Sequence, residues 1–243
     1  MNQSIRALLM ALTPLSLLNA AESAVWDTAN NKVTYSTSVN GIALGGTAIQ
    51  VDLSQFSSSA VANQEGGNAE QYTLSRVILS VDGSIYGTIS FKNTGATPVT
   101  PSFRISDGAS SLTYGTHSTG NETFGQGFPL GEVTPGAEVV KTVDMPGSGA
   151  VSTSITSDLA NFIGNYKIAT SLSFLGDGYF ASAGTSSETV ISVLGAANVS
   201  VTYEYVPEPS TLTLLGVGCV ALLTRRRFKH PLCQPQANSS SIS

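Results

Sequence analysis

Asn198-Val199-Ser200-Val201-Thr202-Tyr203-Glu204-Tyr205-Val206 is the stretch of sequence that decides the fold. Apolar side chains occupy every second position in it, namely Val199, Val201, Tyr203 and Tyr205. The positions between them are polar: Asn198, Ser200, Thr202 and Glu204. Because successive side chains of a strand point to opposite faces, this alternation predicts a β-strand with one buried face and one solvated face.

The same alternation recurs through the middle of the chain. It is found at residues 32–39, 48–53, 73–81, 84–92, 99–106, 137–145, 151–155, 166–174 and 189–194. Asp82-Gly83, between two of these segments, predicts a two-residue hairpin turn. Pro101 predicts that its segment is an edge strand or that the proline comes early in a strand. About ten strands separated by turn residues, without long periodic helices, predict an all-β fold, an antiparallel β-sandwich.

Residues 156–164 interrupt the strand pattern. Ser157 is a suitable N-cap, Leu159 and Phe162 are apolar at helical spacing, and Gly164 is a stop signal. This segment predicts a short helical turn at one end of the sandwich, with a plain loop as the alternative.

The N-terminus, residues 1–21, has the order of a secretory signal peptide. A basic start with Arg6 is followed by an apolar run and then by small and polar residues. Pro14 within the apolar run argues against a buried first helix. Cleavage by signal peptidase is predicted after Ala21 or after Ser23, and the sequence does not choose between them.

Residues 22–206 form the predicted ectodomain, which is one domain by its length. It contains fifteen of the 16 acidic residues of the chain but six of the 11 basic ones. A net negative domain argues against nucleic acid as a partner. Both cysteines, Cys219 and Cys233, lie outside it, so the sheet core has to stabilise it without a disulfide.

The C-terminal part combines three features. Pro207, Glu208 and Pro209 form a stiff, open unit that does not fit a sheet or helix interior. Residues 210–224 are an apolar helix, a predicted transmembrane helix of roughly 22 Å, shorter than the hydrocarbon core of roughly 30 Å. The basic cluster Arg225, Arg226 and Arg227 follows and holds that side in the cytoplasm. Residues 228–243 are a polar cytoplasmic tail.

This order of features at residues 207–227 resembles the PEP-CTERM sorting signal of Gram-negative bacteria, although the polar tail after the arginines departs from the usual pattern. The resemblance implies that an exosortase recognises Pro207, Glu208 and Pro209 and removes the tail. The protein would be held in the inner membrane by its C-terminal helix before processing. It would then be delivered to the cell surface or to the extracellular matrix, in contact with exopolysaccharide. An ordinary C-terminal membrane anchor is the alternative.

The ectodomain is similar to the choice-of-anchor E domain, a β-rich bacterial surface domain. Three pieces carry this resemblance in chain order: Leu53-Ser54-Gln55-Phe56, Phe91-Lys92-Asn93-Thr94-Gly95, and Asp158-Leu159-Ala160-Asn161-Phe162-Ile163-Gly164. The resemblance implies an exported, anchored domain without assigned catalytic residues.

Candidates for chemistry in the ectodomain are few. His117, its one histidine, lies in a polar loop segment without a nucleophile-elbow pattern nearby. No cysteine and histidine cluster or calcium loop is present in the sequence, so neither a metal nor a cofactor is expected.

Trp26 is expected to cover the core. Carboxylates that could pair for glycoside hydrolysis are Glu65, Glu70, Glu122, Glu132 and Glu188, none in a recognisable motif.

The sequence therefore predicts an exported, non-enzymatic surface or matrix protein that an exosortase sorts. A carbohydrate-binding adhesin of the same fold is the first alternative. A secreted hydrolase is the second.

Overall fold

The computed structural model describes residues 21–125, 127–181 and 186–208. This part of the chain is mostly β. Its strands are β1 (Ser23–Asp27), β2 (Lys32–Ala43), β3 (Ile49–Ser54), β4 (Tyr72–Asn93), β5 (Ser102–Tyr114), β6 (His117–Ser118), β7 (Glu122–Thr123), β8 (Phe128–Pro129), β9 (Glu138–Pro146), β10 (Val151–Ile155), β11 (Lys167–Ala181) and β12 (Ser187–Pro207). The helical elements are α1 (Ser58–Glu65) and the 3₁₀ turns Thr28–Asn30, Ala69–Gln71 and Leu159–Phe162.

The strands form two antiparallel sheets. Sheet A runs in the order β1, β2, β12, β4, and the far side of β4 pairs with β9 over one part of its length and with β10 over another. Sheet B runs in the order β3, β11, β5, β6, with the short strands β7 and β8 also paired to β5. The chain crosses between the sheets several times, so both belong to one folding unit.

One apolar core receives side chains from both sheets, the arrangement expected of a β-sandwich. Its largest fully buried side chains are Tyr203, Phe56, Phe91, Phe103, Phe162 and Phe174. The strand predicted at residues 198–206 is confirmed, because Val199, Val201, Tyr203 and Tyr205 are at most 2% exposed. The domain is thus held together by β-branched and aromatic side chains on the inner faces of the two sheets.

The predicted hairpin at Asp82-Gly83 is wrong. β4 continues from Tyr72 to Asn93, and Asp82 and Gly83 pair with Asn198 and Ala197 in the middle of sheet A. A Cβ on Gly83 would lie 2.7 Å from Ser110 Oγ and 3.0 Å from Glu122 Oε2. Glycine is used here for close packing between layers rather than for a turn. Asp177-Gly178, a second Asp-Gly pair, likewise lies inside a strand, β11, next to a bulge.

Two further predicted strands are joined in the structure. Residues 189–194 and 198–206 form one strand, β12, which pairs with β4 from Ser187 to Pro207. The predicted break corresponds to an irregularity in the pairing with β2 at Gly195 and Ala196. Gly195 is buried, and a Cβ there would lie 2.6 Å from the ring of Phe174, so this glycine again permits close packing.

The helical turn predicted within residues 156–164 is confirmed as the 3₁₀ turn Leu159–Phe162, with Phe162 fully buried against Tyr114. Its N-cap is Asp158 rather than Ser157. The helix α1 was not predicted. Ser57 caps it by accepting a hydrogen bond from Ala60 N, and Val61 and Ala62 are its buried residues.

Two predicted elements lie outside the described residues: all but the last residue of the signal peptide 1–21, and the transmembrane helix 210–224. Among the residues that the structure describes, no helix is both long and apolar enough to cross a membrane.

The described chain begins with a clamp at Glu22. The Oε1 atom of Glu22 accepts a hydrogen bond from Ser54 N at 2.6 Å, and Oε2 accepts one from Ser54 Oγ and pairs with Lys167 Nζ at 2.5 Å. Burial opposes the charge of Glu22, but the contacts with Lys167 and Ser54 outweigh it and lower the pKa of the carboxyl group. Cleavage after Ala21 would keep this clamp, whereas cleavage after Ser23 would remove it.

Candidate functional site

The C-terminal end of β12 is the first candidate site. Val206 pairs with Thr73 and Pro207 pairs with Tyr72, so β12 stays paired with β4 to its last residue, beyond a register shift between Glu204 and Tyr205. The backbone N–H of Glu208 then donates to the carbonyl of Gln71 at 2.6 Å. Thr73 Oγ1 donates to Glu208 Oε1 at 2.5 Å.

Pro207 and Glu208 are therefore held by the domain rather than standing clear of it. Proline is tolerated here because it ends the strand, where no further ladder hydrogen bond is required of it. Both residues remain exposed to solvent. Pro209 and the cluster Arg225, Arg226 and Arg227 lie outside the described residues. We call the contacts of Pro207 and Glu208 with residues 71–73 the sorting junction.

Two buried tyrosines support the sorting junction from below. Tyr205 Oη donates to Glu65 Oε1 at 2.6 Å, and its ring packs against Phe56 and Tyr72. Tyr203 Oη donates to the carbonyl of Ser54 at 2.8 Å. Burial raises the pKa of both phenols, and for Tyr205 the Glu65 carboxylate adds to this effect. Both therefore remain hydrogen-bond donors, which fix the end of β12 to α1 and β3.

The second candidate site is a polar trough on the outer face of sheet A. It has a volume of about 460 Å³ and crosses β2, β12 and β4 where the pairing of β12 with β2 is irregular. Its polar lining residues are Ser38, Asn40, Asp82, Ser84 and Asn198, and its apolar ones include Ala196 and Pro146. Ser38 Oγ donates to Asn198 Oδ1 at 2.6 Å, which orients the amide.

The chemistry of the trough is that of neutral hydrogen bonding. Hydroxyl and amide groups can both donate and accept, and Asp82 is the one charged residue in the lining. A lining with one negative charge and no basic residue disfavours an anionic ligand. Such a surface suits the hydroxyl groups of an uncharged sugar polymer.

The other residues considered for chemistry lie apart from each other. His117 forms the two-residue strand β6 with Ser118 and is half-buried, rather than lying in an exposed loop. Its backbone pairs with Tyr114, and its imidazole has no hydrogen-bond or ion-pair partner among the described residues. Trp26 is in β1 and packs against the core, as predicted.

Three of the five carboxylates considered for hydrolysis, Glu65, Glu122 and Glu188, lie in three different elements. Glu65 in α1 accepts from Tyr205, and Glu188 in β12 pairs with Lys92 at 3.1 Å. Glu122 in β7 is fully buried, which the sequence did not indicate. The described ranges contain no group of three or more His, Cys, Asp or Glu side chains placed to hold a metal ion.

Comparison with known proteins identifies the first site. The family model described as the PEP-CTERM protein-sorting motif matches residues 206–227. The match begins at Val206, inside the last strand of the domain. It indicates an exported surface protein of Gram-negative type that an exosortase processes.

The domain itself has no comparable match. No curated protein matches the chain at a significant level. One solved structure, of the infectious bursal disease virus Gx strain, is matched at 12% identity and a TM-score of 0.12, over 87% of this chain and 50% of that chain. The chain thus spans about half the length of that viral chain, and a likeness at this level carries no argument.

Proposed function

We propose that this chain is the precursor of a non-enzymatic surface or matrix protein, whose tail an exosortase cuts off at the sorting junction. The match of residues 206–227 to the sorting motif carries this proposal. In support, the motif starts at the exposed end of β12, where its first residues can be reached from outside the domain. In this proposal the N-terminal segment directs export and is removed by signal peptidase after Ala21.

The absence of catalysis is part of the same proposal. The supporting observation is that three of the carboxylates, Glu65, Glu122 and Glu188, lie in different elements, and that Glu65 and Glu188 already have partners there. The likeness of the domain to the choice-of-anchor E domain stays a hypothesis, since it rests on the quoted sequence pieces alone.

Two substitutions at the sorting junction should affect tail removal differently, one by removing a recognised residue and the other by removing only its contact with the domain. Replacing Glu208 with alanine is expected to leave the tail on the chain in most molecules, because the central residue of the recognised unit is lost. Thr73→Val removes only the hydrogen bond that the domain gives to Glu208. Processing of the Thr73→Val chain is expected to equal or exceed that of the natural chain.

Intact-mass spectrometry of the chain recovered from the surface of an exosortase-containing Gram-negative host measures both ends. A mature N-terminus at Glu22 and loss of the arginine cluster are expected for the natural chain and for Thr73→Val. Full removal of the tail from Glu208→Ala, or an intact tail on the natural chain at the surface, would contradict the proposal.

We further propose that the polar trough contacts exopolysaccharide, so that the protein acts as a carbohydrate-binding adhesin or matrix component. A net contribution of about 1 kcal/mol for each hydrogen bond implies that Asn40→Ala with Asn198→Ala weakens binding about tenfold or more. Thr88→Ala, an exposed change on the same face outside the trough, is the matched control.

Co-sedimentation of the full chain with uncharged and acidic polysaccharide fractions checks this expectation. Binding to the uncharged fraction, lost in the double variant and kept in Thr88→Ala, is the expected result. Equal binding by both variants, or no binding to either fraction, would remove the trough from the proposed function and leave the sorting junction unaffected.

A further inference from the structure

The first third of β12 forms a free sheet edge in the described part of the chain. β12 pairs with β4 along its whole length, but β2 pairs with it only from Leu194 to Glu204. Residues 187–193 therefore have a neighbouring strand on one side only, among the described parts of the chain. We call this segment the β12 edge. Its outward backbone groups have the geometry to pair with another strand.

The β12 edge lacks the residues that usually protect such edges. β9, the free edge on the other side of β4, carries three charged residues and a proline: Glu138, Lys141, Asp144 and Pro146. The β12 edge has one charged residue, Glu188, already paired with Lys92, and it has no proline. Charges and prolines on edges discourage strand addition, so β9 is protected and the β12 edge is not.

The core is also incompletely covered beneath this edge. Ile191 pairs with Ile89, whose side chain is 1% exposed, yet Ile191 itself is 38% exposed. A groove of about 320 Å³ runs beside it, between residues 191–194 of β12 and residues 176–178 of β11. Ala43 and Leu44 close one end of the groove. An added strand would cover Ile191 and extend sheet A at the same time.

We propose that the β12 edge pairs with the β12 edge of a second copy of this chain, antiparallel and around a two-fold axis near Val190. The β12 edge has itself the properties of a strand that could be added to such an edge. The segment is already a strand, is rich in β-branched residues and contains no proline. With the axis at Val190, Glu188 lies opposite Ser192, so like charges do not face each other.

Two-fold pairing of one edge with itself also closes the assembly at a dimer. The contact is small, because an overlap of seven residues with a shallow groove falls at the low end of specific interfaces. A weak, concentration-dependent dimer is therefore the expected species.

The antiparallel arrangement determines which molecules can meet. The β12 edge lies at one end of β12 and the sorting junction at the other. Antiparallel pairing places the two junctions at opposite ends of the joined sheet, at most roughly 110 Å apart at about 3.3 Å per residue. This orientation argument rests on the proposed surface attachment. With the chains attached at their sorting junctions, the contact joins molecules on facing surfaces rather than neighbours on one surface.

Cysteine cross-linking offers a matched pair of positions. Val190 on the β12 edge and Val140 on the β9 edge both pair with Ser90, and they are 63% and 62% exposed. Val190→Cys and Val140→Cys are introduced into the full chain with Cys219 and Cys233 changed to serine. After mild oxidation of the purified chain, Val190→Cys is expected to give at least tenfold more disulfide dimer than Val140→Cys.

The orientation is tested on cells. Val190→Cys chains with two epitope tags are displayed either together on dispersed cells or one tag each on two cell populations that are pelleted together. Mixed-tag dimers are expected only from the two populations in contact. Equal cross-linking at positions 140 and 190 in the purified chain would overturn the dimer. Mixed-tag dimers formed as readily on dispersed cells that carry both tags would overturn the antiparallel arrangement. Failure of the proposed function gives a different result. In that case external protease does not cleave the chains on intact cells, but the purified chains still cross-link through position 190.

Discussion

Replacing Gly87 with alanine destabilises the domain by about 3 kcal/mol or more. Gly87 lies in β4 between Val193 of β12 and Val143 of β9, with φ of 147°. A Cβ there would be 2.1 Å from the carbonyl oxygen of Ser192 and 2.8 Å from Val193 Cα. Both obstructing atoms belong to the backbone, so the clash can be relieved only by separating β4 from β12 at the centre of sheet A.

Thermal or urea unfolding of the full chain, followed by the fluorescence of Trp26, measures the effect. For a domain of this size a loss of 3 kcal/mol lowers the melting temperature by about 6–12 °C. Gly125→Ala is the control, since a Cβ at Gly125 meets no atom within 4 Å and its φ is not in the left-handed region. If the two variants unfolded at the same temperature, the close approach of β4 and β12 at this point would be wrong.

Such glycines also mark where the sequence predicts the fold and where it does not. The alternation of apolar residues predicts most strands correctly because it depends only on local periodicity. Asp82-Gly83 predicts a turn and Gly195 lies in the gap between two predicted strands, although each glycine is needed where another layer comes close. Whether a glycine turns the chain or admits a neighbour depends on residues far away in sequence, here Ser110 and Phe174.

The missed helix has a similar cause. α1 has only two buried residues, Val61 and Ala62, within a run of serine, alanine and polar residues. A helix this short leaves no repeating apolar pattern of helical period in the sequence. Its position depends on the tertiary contact that Glu65 makes with Tyr205.

The candidate sites also differ in whether they depend on local sequence or on contacts between distant residues. The sorting motif is a contiguous set of residues, so its order and spacing are visible in the sequence. The attachment of the motif to the domain is not visible in the sequence, because Glu208 is brought to Thr73 by the pairing of β12 with β4. The polar trough and the β12 edge likewise appear only once strands distant in sequence are placed side by side.

These placements give β12 three separate roles along its length. Its first part is a free edge, its middle lines the polar trough, and its end carries the sorting junction. Because a strand is stiff over its hydrogen-bonded length, attachment at one end directs the other two surfaces away from the point of attachment. Under the proposed function, these surfaces are the ones presented to polymers or to other cells.

Glu122 is the residue whose side chain is expected to matter most to the domain's interior. It is fully buried in β7, and its Oε2 atom accepts hydrogen bonds from Gly83 N at 2.6 Å and from Ser110 Oγ at 2.9 Å. The Oε1 atom has no hydrogen-bond partner among the described residues. Gly147 packs over this atom, since a Cβ there would lie 1.8 Å from it. One carboxyl group thus joins β4, β5 and the segment after β9.

Glu122→Ala is expected to lower the free energy of unfolding by about 3–5 kcal/mol, because it leaves two buried donors without an acceptor and opens a cavity. Glu122→Gln keeps the shape and one acceptor oxygen, so its cost is expected to stay below about 1.5 kcal/mol. Glu132→Ala, which removes an exposed carboxyl group, should change stability by less than about 0.5 kcal/mol. Urea unfolding of the three variants at one pH orders them. If Glu122→Ala and Glu132→Ala had equal midpoints, the hydrogen bonds to Gly83 and Ser110 would contribute nothing net, and the apolar core alone would hold the sheets together.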